Sequence, residues 1–178
     1  MNFALTDAER LILSNQYTIL AKLSGDKHEA AEYEKLAEHL NKGHSFFYAD
    51  YLSNQLSPVV ENYVQQFVID VLSMYRAMQR VAEDTTLDKS ILDDLRFPGF
   101  DGNNEPEYLG FAMALHSEGR FEQEFAFGRT APYFNSHSQS IELYDRMLDK
   151  WREFGKEPIL TLEQVQAILE EQVHPENR

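Results

Sequence analysis

Cysteine is absent from this 178-residue sequence. A disulfide scaffold, a thiolate nucleophile, an iron–sulfur cluster and a cysteine-ligated zinc site are therefore excluded. Basic residues are few: 16 Lys and Arg stand against 30 Asp and Glu, a formal net charge of −14. That balance disfavours a protein that grips a phosphate backbone, because counterion release needs clustered cations. Long apolar runs are also missing. The most apolar stretch, Phe67 to Leu72, is interrupted by Asp70 and falls far short of the ~20 residues that span a bilayer. The N-terminal Met1-Asn2-Phe3-Ala4-Leu5 turns polar at Thr6-Asp7 without a basic region and apolar core before it, so no secretory signal is expected and a cytoplasmic location is. No Gly-x-Ser-x-Gly or His-Glu-x-x-His occurs, and Gly25, Gly43, Gly99, Gly102 and Gly110 never take the spacing of a phosphate loop or dinucleotide fingerprint.

What is present is a well-apolar, helix-patterned chain. Hydrophobic residues make up 43% and aromatics 12%, too much for a disordered protein. Thr6-Asp7-Ala8-Glu9 has the form of a capping box. Behind it Ala8, Leu11, Ile12, Ile19 and Leu23 recur at helical spacing until Ser24-Gly25-Asp26. A polar second helix over about 26–41 ends at Gly43, and a short aromatic helix follows with Phe46, Phe47, Tyr48 and Tyr51.

Ser57-Pro58 offers a capping residue with proline at the first helical position. From it runs the widest apolar stripe in the chain: Val60, Tyr63, Val64, Phe67, Val68, Val71, Leu72, Tyr75 and Met78. A stripe that broad belongs to a helix contacted on several sides. The remainder reads as an acidic connector over 84–95 with one short helix, then a turn-rich loop over 97–104. A helix over about 105–117 closes at Gly119, and an aromatic loop fills 121–134. A helix follows from Ser138 or Ser140, and a terminal helix is capped by Thr161-Leu162-Glu163-Gln164. Nothing alternates with period two, so no sheet is expected. The pattern predicts an all-α, compact multi-helix domain, 1–178, around a long central helix at about residues 58–83.

Three stretches together resemble the YfbU family of bacterial proteins. They are Glu9-Arg10-Leu11-Ile12-Leu13-Ser14-Asn15-Gln16-Tyr17; Gly99-Phe100-Asp101-Gly102-Asn103 with Glu107-Tyr108-Leu109-Gly110; and Phe134-Asn135-Ser136-His137 with Tyr144-Asp145-Arg146-Met147-Leu148 and Trp151. Glu118-Gly119-Arg120-Phe121 matches as well. The resemblance runs from about residue 7 to about 172 and is weakest over 85–96 and 123–130. It implies a helical cytoplasmic protein and brings no catalytic residue with it.

The candidate binding residues come from these stretches: Arg10, Asn15, Gln16, Arg120, Asn135 and His137. Gathered with Arg146, they would form a donor-rich pocket for a carboxylate or phosphate. Arginines paired with acids such as Glu118 or Asp145 would look the same in sequence. Asn15 falls on the apolar stripe of the first helix, where an amide either satisfies a loop backbone or contacts a ligand. Asp101, Asn103 and Glu105 alternate like the first ligands of a calcium loop, but Pro106 stands where that loop needs glycine and Ala112 where it needs glutamate. An Asx turn capping the next helix is the better reading, and no metal or cofactor is expected. The six histidines supply no paired Glu-x-x-His helices for a di-iron bundle. Without a complete catalytic signature, the expected function is a helical interaction or regulatory module, homo-oligomeric, without nucleic acid or membrane as partner. The alternative is a small-anion-binding or hydrolytic enzyme that uses the arginine, asparagine and histidine group.

Overall fold

The computed structural model describes residues 4–84 and 86–174; Thr85, in the acidic connector, lies outside them, as do both termini. The described residues fold as helices and connecting loops, and one isolated parallel bridge between Phe100 and Asn135 is their only β pairing. They cluster into two compact units that divide between Val59 and Val60.

In the N-terminal unit, α1 (Asp7–Leu23), α2 (Lys27–Lys42) and α3 (Ser45–Ser53) follow the sequence signals closely. Thr6 caps α1 with both halves of the capping box formed: its hydroxyl accepts from the Glu9 amide, and Glu9 accepts from the Thr6 amide at 2.8 Å. Asp26 caps α2 by accepting from the amides of His28 and Glu29. Gly43 closes α2 in the left-handed region at φ 73°, where a Cβ would also stand 2.6 Å from Arg10 Nη1. Only glycine meets both conditions without cost.

Contacts between α1 and α2 pair Arg10 with Leu40, Ser14 with Ala37 and Tyr17 with Tyr33. One number rises as the other falls, so the two helices run antiparallel. Their shared core is small: Leu36, Leu40, Tyr48 and Leu52 are buried, with Leu5, Leu13, Tyr17, Ala49 and Tyr51 packed around them.

The structure corrects which face of α1 is inside. The buried residues are Ser14 and Ala21, not the aliphatic stripe at 8, 12, 15, 19 and 23. Small side chains let α2 approach closely, and the Ser14 hydroxyl donates to the Ala37 carbonyl at 2.9 Å. Leu11, Ile12, Ile19 and Leu23 are left 59%, 63%, 56% and 75% exposed.

The C-terminal unit is built on α4 (Asn62–Gln79). Its residues Val64, Val68, Val71, Leu72, Met74, Tyr75 and Met78 are fully buried. Packed against it are α7 (Pro106–Ser117), α8 (Glu122–Ala126) and α9 (Ile141–Glu153), and α10 (Leu162–Glu170) packs on α9. Between these lie α5 (Val81–Asp84) and α6 (Lys89–Asp94). The central helix is shorter than the 58–83 expected. Ser57-Pro58 does not start it; residues 57–60 are non-helical, Glu61 takes the cap position and the helix breaks at Arg80. Proline at 58 suits an extended segment as well as a first helical turn, and the chain passes from one unit to the other there. The aromatic loop at 121–134 contains the short α8, entered through Phe121 at φ 58°. Thr161 and Gln164 form the second reciprocal capping box, at the start of α10.

An aromatic cluster fills the centre of this unit. Tyr75, Phe97, Phe100, Phe125 and Tyr144 are all fully buried, with ring centroids 5.3–6.0 Å apart and mostly edge-on. Such geometry sets the positive edge of one ring against the negative face of the next.

Candidate functional site

Two polar loops of the C-terminal unit meet where the sequence motifs are densest. The amide of Phe100 donates to the Phe134 carbonyl at 2.8 Å, and the amide of Ser136 to the Phe100 carbonyl at 3.1 Å. Asn135 ties the loops together: its Oδ1 accepts from the Gly102 amide at 3.2 Å and from the His137 amide at 3.0 Å. Asn135 and His137, two positions apart, are therefore joined in one turn. His137 holds a left-handed backbone at φ 55° and its side chain is exposed.

Beneath this clasp lies a buried carboxylate. Glu105 accepts from the Asp101 amide at 2.9 Å, the Ser140 amide at 2.6 Å, the Ser140 hydroxyl at 2.7 Å and the Ile141 amide at 3.0 Å. Ser140 occupies the cap position of α9 but its own side chain caps nothing. The hydroxyl points instead to Glu105 and Gly99, and Glu105 satisfies the first amides of α9 from 35 positions away. A carboxylate at a helix N-terminus also meets the positive end of the helix dipole.

Asp101 forms an Asx turn, accepting from the Asn103 amide at 3.0 Å and from the Asn104 side-chain amide, but it does not cap the next helix as expected: α7 starts behind Glu105 with no side-chain cap. These hydrogen bonds, Asn104 first, hold its carboxyl below the ordinary Asp value, and the charge of His137 adds to the effect. A depressed pKa in the folded state contributes stability above the unfolded-state value and loses it as pH falls through the folded one. Wild type is therefore expected to lose stability faster than Asp101→Asn below about pH 4, the ordinary carboxylate range. Denaturant titrations of both proteins across that range check this; parallel curves would remove Asp101 from the acid response.

The remaining candidates each stand in a different setting. Arg10 lies on the α2-facing side of α1 and donates to Asp7 at 2.7 Å and to the Leu40 carbonyl at 3.3 Å. Asn15 and Gln16 sit on the opposite, exposed side of the same helix. Arg146 donates to the Glu142 carbonyl within its own helix and to the Glu171 carbonyl at the end of α10, so its contacts are to backbone rather than to an anion. Arg120 is exposed beyond the end of α7 and, among the described residues, forms no ion pair with a carboxylate. Glu118 and Asp145, the acids expected as alternative partners, pair with none of these arginines among the described residues.

Two further groups carry no plain signature in the sequence. Arg76 on α4 grips the buried Glu124 of α8 through two contacts, Nε to Oε1 at 2.5 Å and Nη2 to Oε2 at 3.2 Å, while lying 4.4 Å over the Phe121 ring. They border an open cleft of about 490 Å³ shared with Gln79, Arg80 and Glu83. A cation on the core helix and a glutamate in an aromatic segment are the only hints of this pair. The second group is Arg129, which donates to the Phe97 carbonyl at 2.8 Å and stacks on Tyr133. Burial and the nearby Arg96 lower its pKa from the ordinary guanidinium value. The buried Tyr75 hydroxyl finds no hydrogen-bond partner among the described residues, and burial pushes its pKa up. Groups of three or more His, Asp or Glu arranged to hold a metal ion do not occur among the described residues. Nor is any helix there long and apolar enough to cross a membrane.

The fold and clasp together define an all-α protein whose densest polar motifs hold loops to helix ends. The chain belongs to the YfbU family: that family's domain model matches residues 3–171. It is 31% identical over 170 residues to a UPF0304 protein, MJECS11, of Methanocaldococcus jannaschii, covering 93% of this chain and 98% of that protein. To the UPF0304 protein MS2240 of Mannheimia succiniciproducens it is 33% identical over 168 residues, with the same 93% and 98% covered. These likenesses establish the family and carry no reaction across to this chain.

Proposed function

We propose that this protein is a self-associating interaction module whose N-terminal unit presents the contact surface. One observation carries the reading: four large aliphatic side chains, Leu11, Ile12, Ile19 and Leu23, stand exposed along one side of α1. Single exposed leucines are ordinary, whereas a contiguous apolar stripe marks an interaction site. Burying a Leu or Ile contributes about 1.5–3 kcal/mol, so a face of this kind gains substantially from a partner. Its polar neighbours Asn15 and Gln16 would then act at a protein contact rather than in an anion pocket.

Ile12→Glu places a charge in the middle of that stripe. It is expected to weaken association by at least about tenfold without disturbing α1, since position 12 is 63% exposed. Light scattering on wild type and variant, with far-ultraviolet circular dichroism as the folding check, decides the matter. A wild-type protein of single-chain mass at every soluble concentration would refute the proposal.

A further inference from the structure

The exposed face of α1 reads nearly the same in both directions. We infer that it pairs with the α1 of a second copy, antiparallel about a two-fold axis that passes between Asn15 and Gln16. This rests on the self-association reading and specifies its geometry. Residues equidistant from that point are alike near the axis, Asn15 and Gln16, Ile12 and Ile19, Leu11 and Leu20, and at the ends of the face a small Ala8 matches a large Leu23. An antiparallel two-fold sets each of them level with its counterpart on the other copy. At about 100° per residue, Ile12 and Ile19 lie within ~20° of each other at the centre of the face. Ile12 of one copy therefore meets Ile19 of the other twice over, once on each side of the axis. Ala8 and Leu23 extend the same seam outward, and Leu11 and Leu20 line its two flanks.

Three observations select a copy of this chain over an unrelated partner. First, the face is self-complementary, which a two-fold interface requires and a contact with a different protein does not. A small residue, Ala8, falls opposite a large one, Leu23, so the seam closes without a gap at its ends. Second, α1 carries Asp7, Glu9, Arg10 and Lys22, two acids and two bases, so it is locally neutral in a chain of net charge −14. The helix itself therefore adds no net charge repulsion between two copies. Third, antiparallel pairing sets the acidic first turn of one helix level with the basic last turn of the other, and their dipoles oppose favourably. Next to the axis, Asn15 faces the other copy's Asn15 on one flank and Gln16 faces Gln16 on the other. Amides paired within an apolar contact fix the register, as a buried polar pair does in coiled coils. One pair of helices about 26 Å long makes a modest interface, so the dimer is concentration-dependent.

The absence of native cysteine makes the test direct. Ile12→Cys and Ile19→Cys proteins are prepared separately in the full chain, then oxidised alone and as a mixture. The mixture is expected to yield disulfide-linked heterodimer at least about fivefold in excess of either self-linked product. In the proposed register a cysteine at 12 lies beside position 19 of the other copy, while its own counterpart is seven residues, about 10 Å, along the axis and beyond disulfide reach. Ala8→Cys mixed with Leu23→Cys should give the same preference from the ends of the seam. A parallel pairing would reverse both results, each variant linking to itself. Circular dichroism of the four variants confirms that α1 is intact in each. Self-linked products, or a light-scattering dimer with no 12–19 link, overturn this geometry and leave self-association standing; a strict monomer overturns both.

Discussion

Glu105→Ala is expected to destabilise the C-terminal unit by about 3–5 kcal/mol, as the removal of one side chain strips several buried donors of their acceptor. Glu105 is 4% exposed and receives three amides and a hydroxyl. Among the described residues no other side chain caps α9, and water has little access to replace the lost carboxylate. Each buried donor left unsatisfied costs about 1–3 kcal/mol, partly recovered by relaxation. Glu105→Gln has nearly the same shape but turns one oxygen into an NH2 group that faces other donors. It should therefore cost about 1–3 kcal/mol, less than alanine but well above a neutral exchange. Trp151, the single tryptophan, lies on α9 and is buried in the same core, so its fluorescence reports the unfolding of this unit in urea. Wild-type midpoints for both variants would mean that the four hydrogen bonds are bystanders.

The same residue shows where sequence reading stops. The alternation of Asp101, Asn103 and Glu105 suggests an Asx turn, and Asp101 makes it by contacting the amide two positions on. Glu105 acts 35 positions away, and no local pattern encodes that partner. The capping boxes at Thr6 and Thr161 are readable because each is closed within four residues. Gly43 is equally local. The buried face of α1 defeats pattern reading for a different reason: hydrophobic periodicity weights large side chains, while close helix packing selects small ones. Ser14 and Ala21 are inside, and the isoleucines that dominate the pattern are outside. Asn15 follows the same logic, since it does share the aliphatic stripe and the stripe itself faces away from the unit's core. Of the candidate group, Asn135 and His137 come together because they are two residues apart and share one turn. Arg10 and Arg146 are engaged by backbone carbonyls, partners that sequence cannot display.

Gly99→Ala should be the most damaging single-methyl change in the protein, with an expected loss of at least about 4 kcal/mol, the range reserved for changes the fold cannot absorb. Two independent costs coincide there. The backbone sits at φ 93°, a conformation L side chains rarely adopt, with a strain of about 1–2 kcal/mol. The added Cβ would also stand 2.7 Å from the Asn135 nitrogen and closer still to the Phe134 carbonyl. These are backbone atoms, so no rotamer change can relieve the clash. The loops would have to separate, breaking the 2.8 Å hydrogen bond from Phe100 to Phe134. They would also lose the Gly99 carbonyl as acceptor for the Tyr144 hydroxyl at 2.7 Å, and with it the alignment of the aromatic cluster. Gly110→Ala supplies the contrast. It lies in the interior of α7, where an added Cβ would have no neighbour within 4 Å and φ is not positive. Alanine there should stabilise by up to about 1 kcal/mol through helix propensity. Both glycines belong to the same unit and gain the same methyl group, so urea titrations of the two variants isolate the effect of place. Equal midpoints for Gly99→Ala and wild type would show that the two loops are not locked by their backbone contact, and the rigid clasp around Asn135 would fall with it.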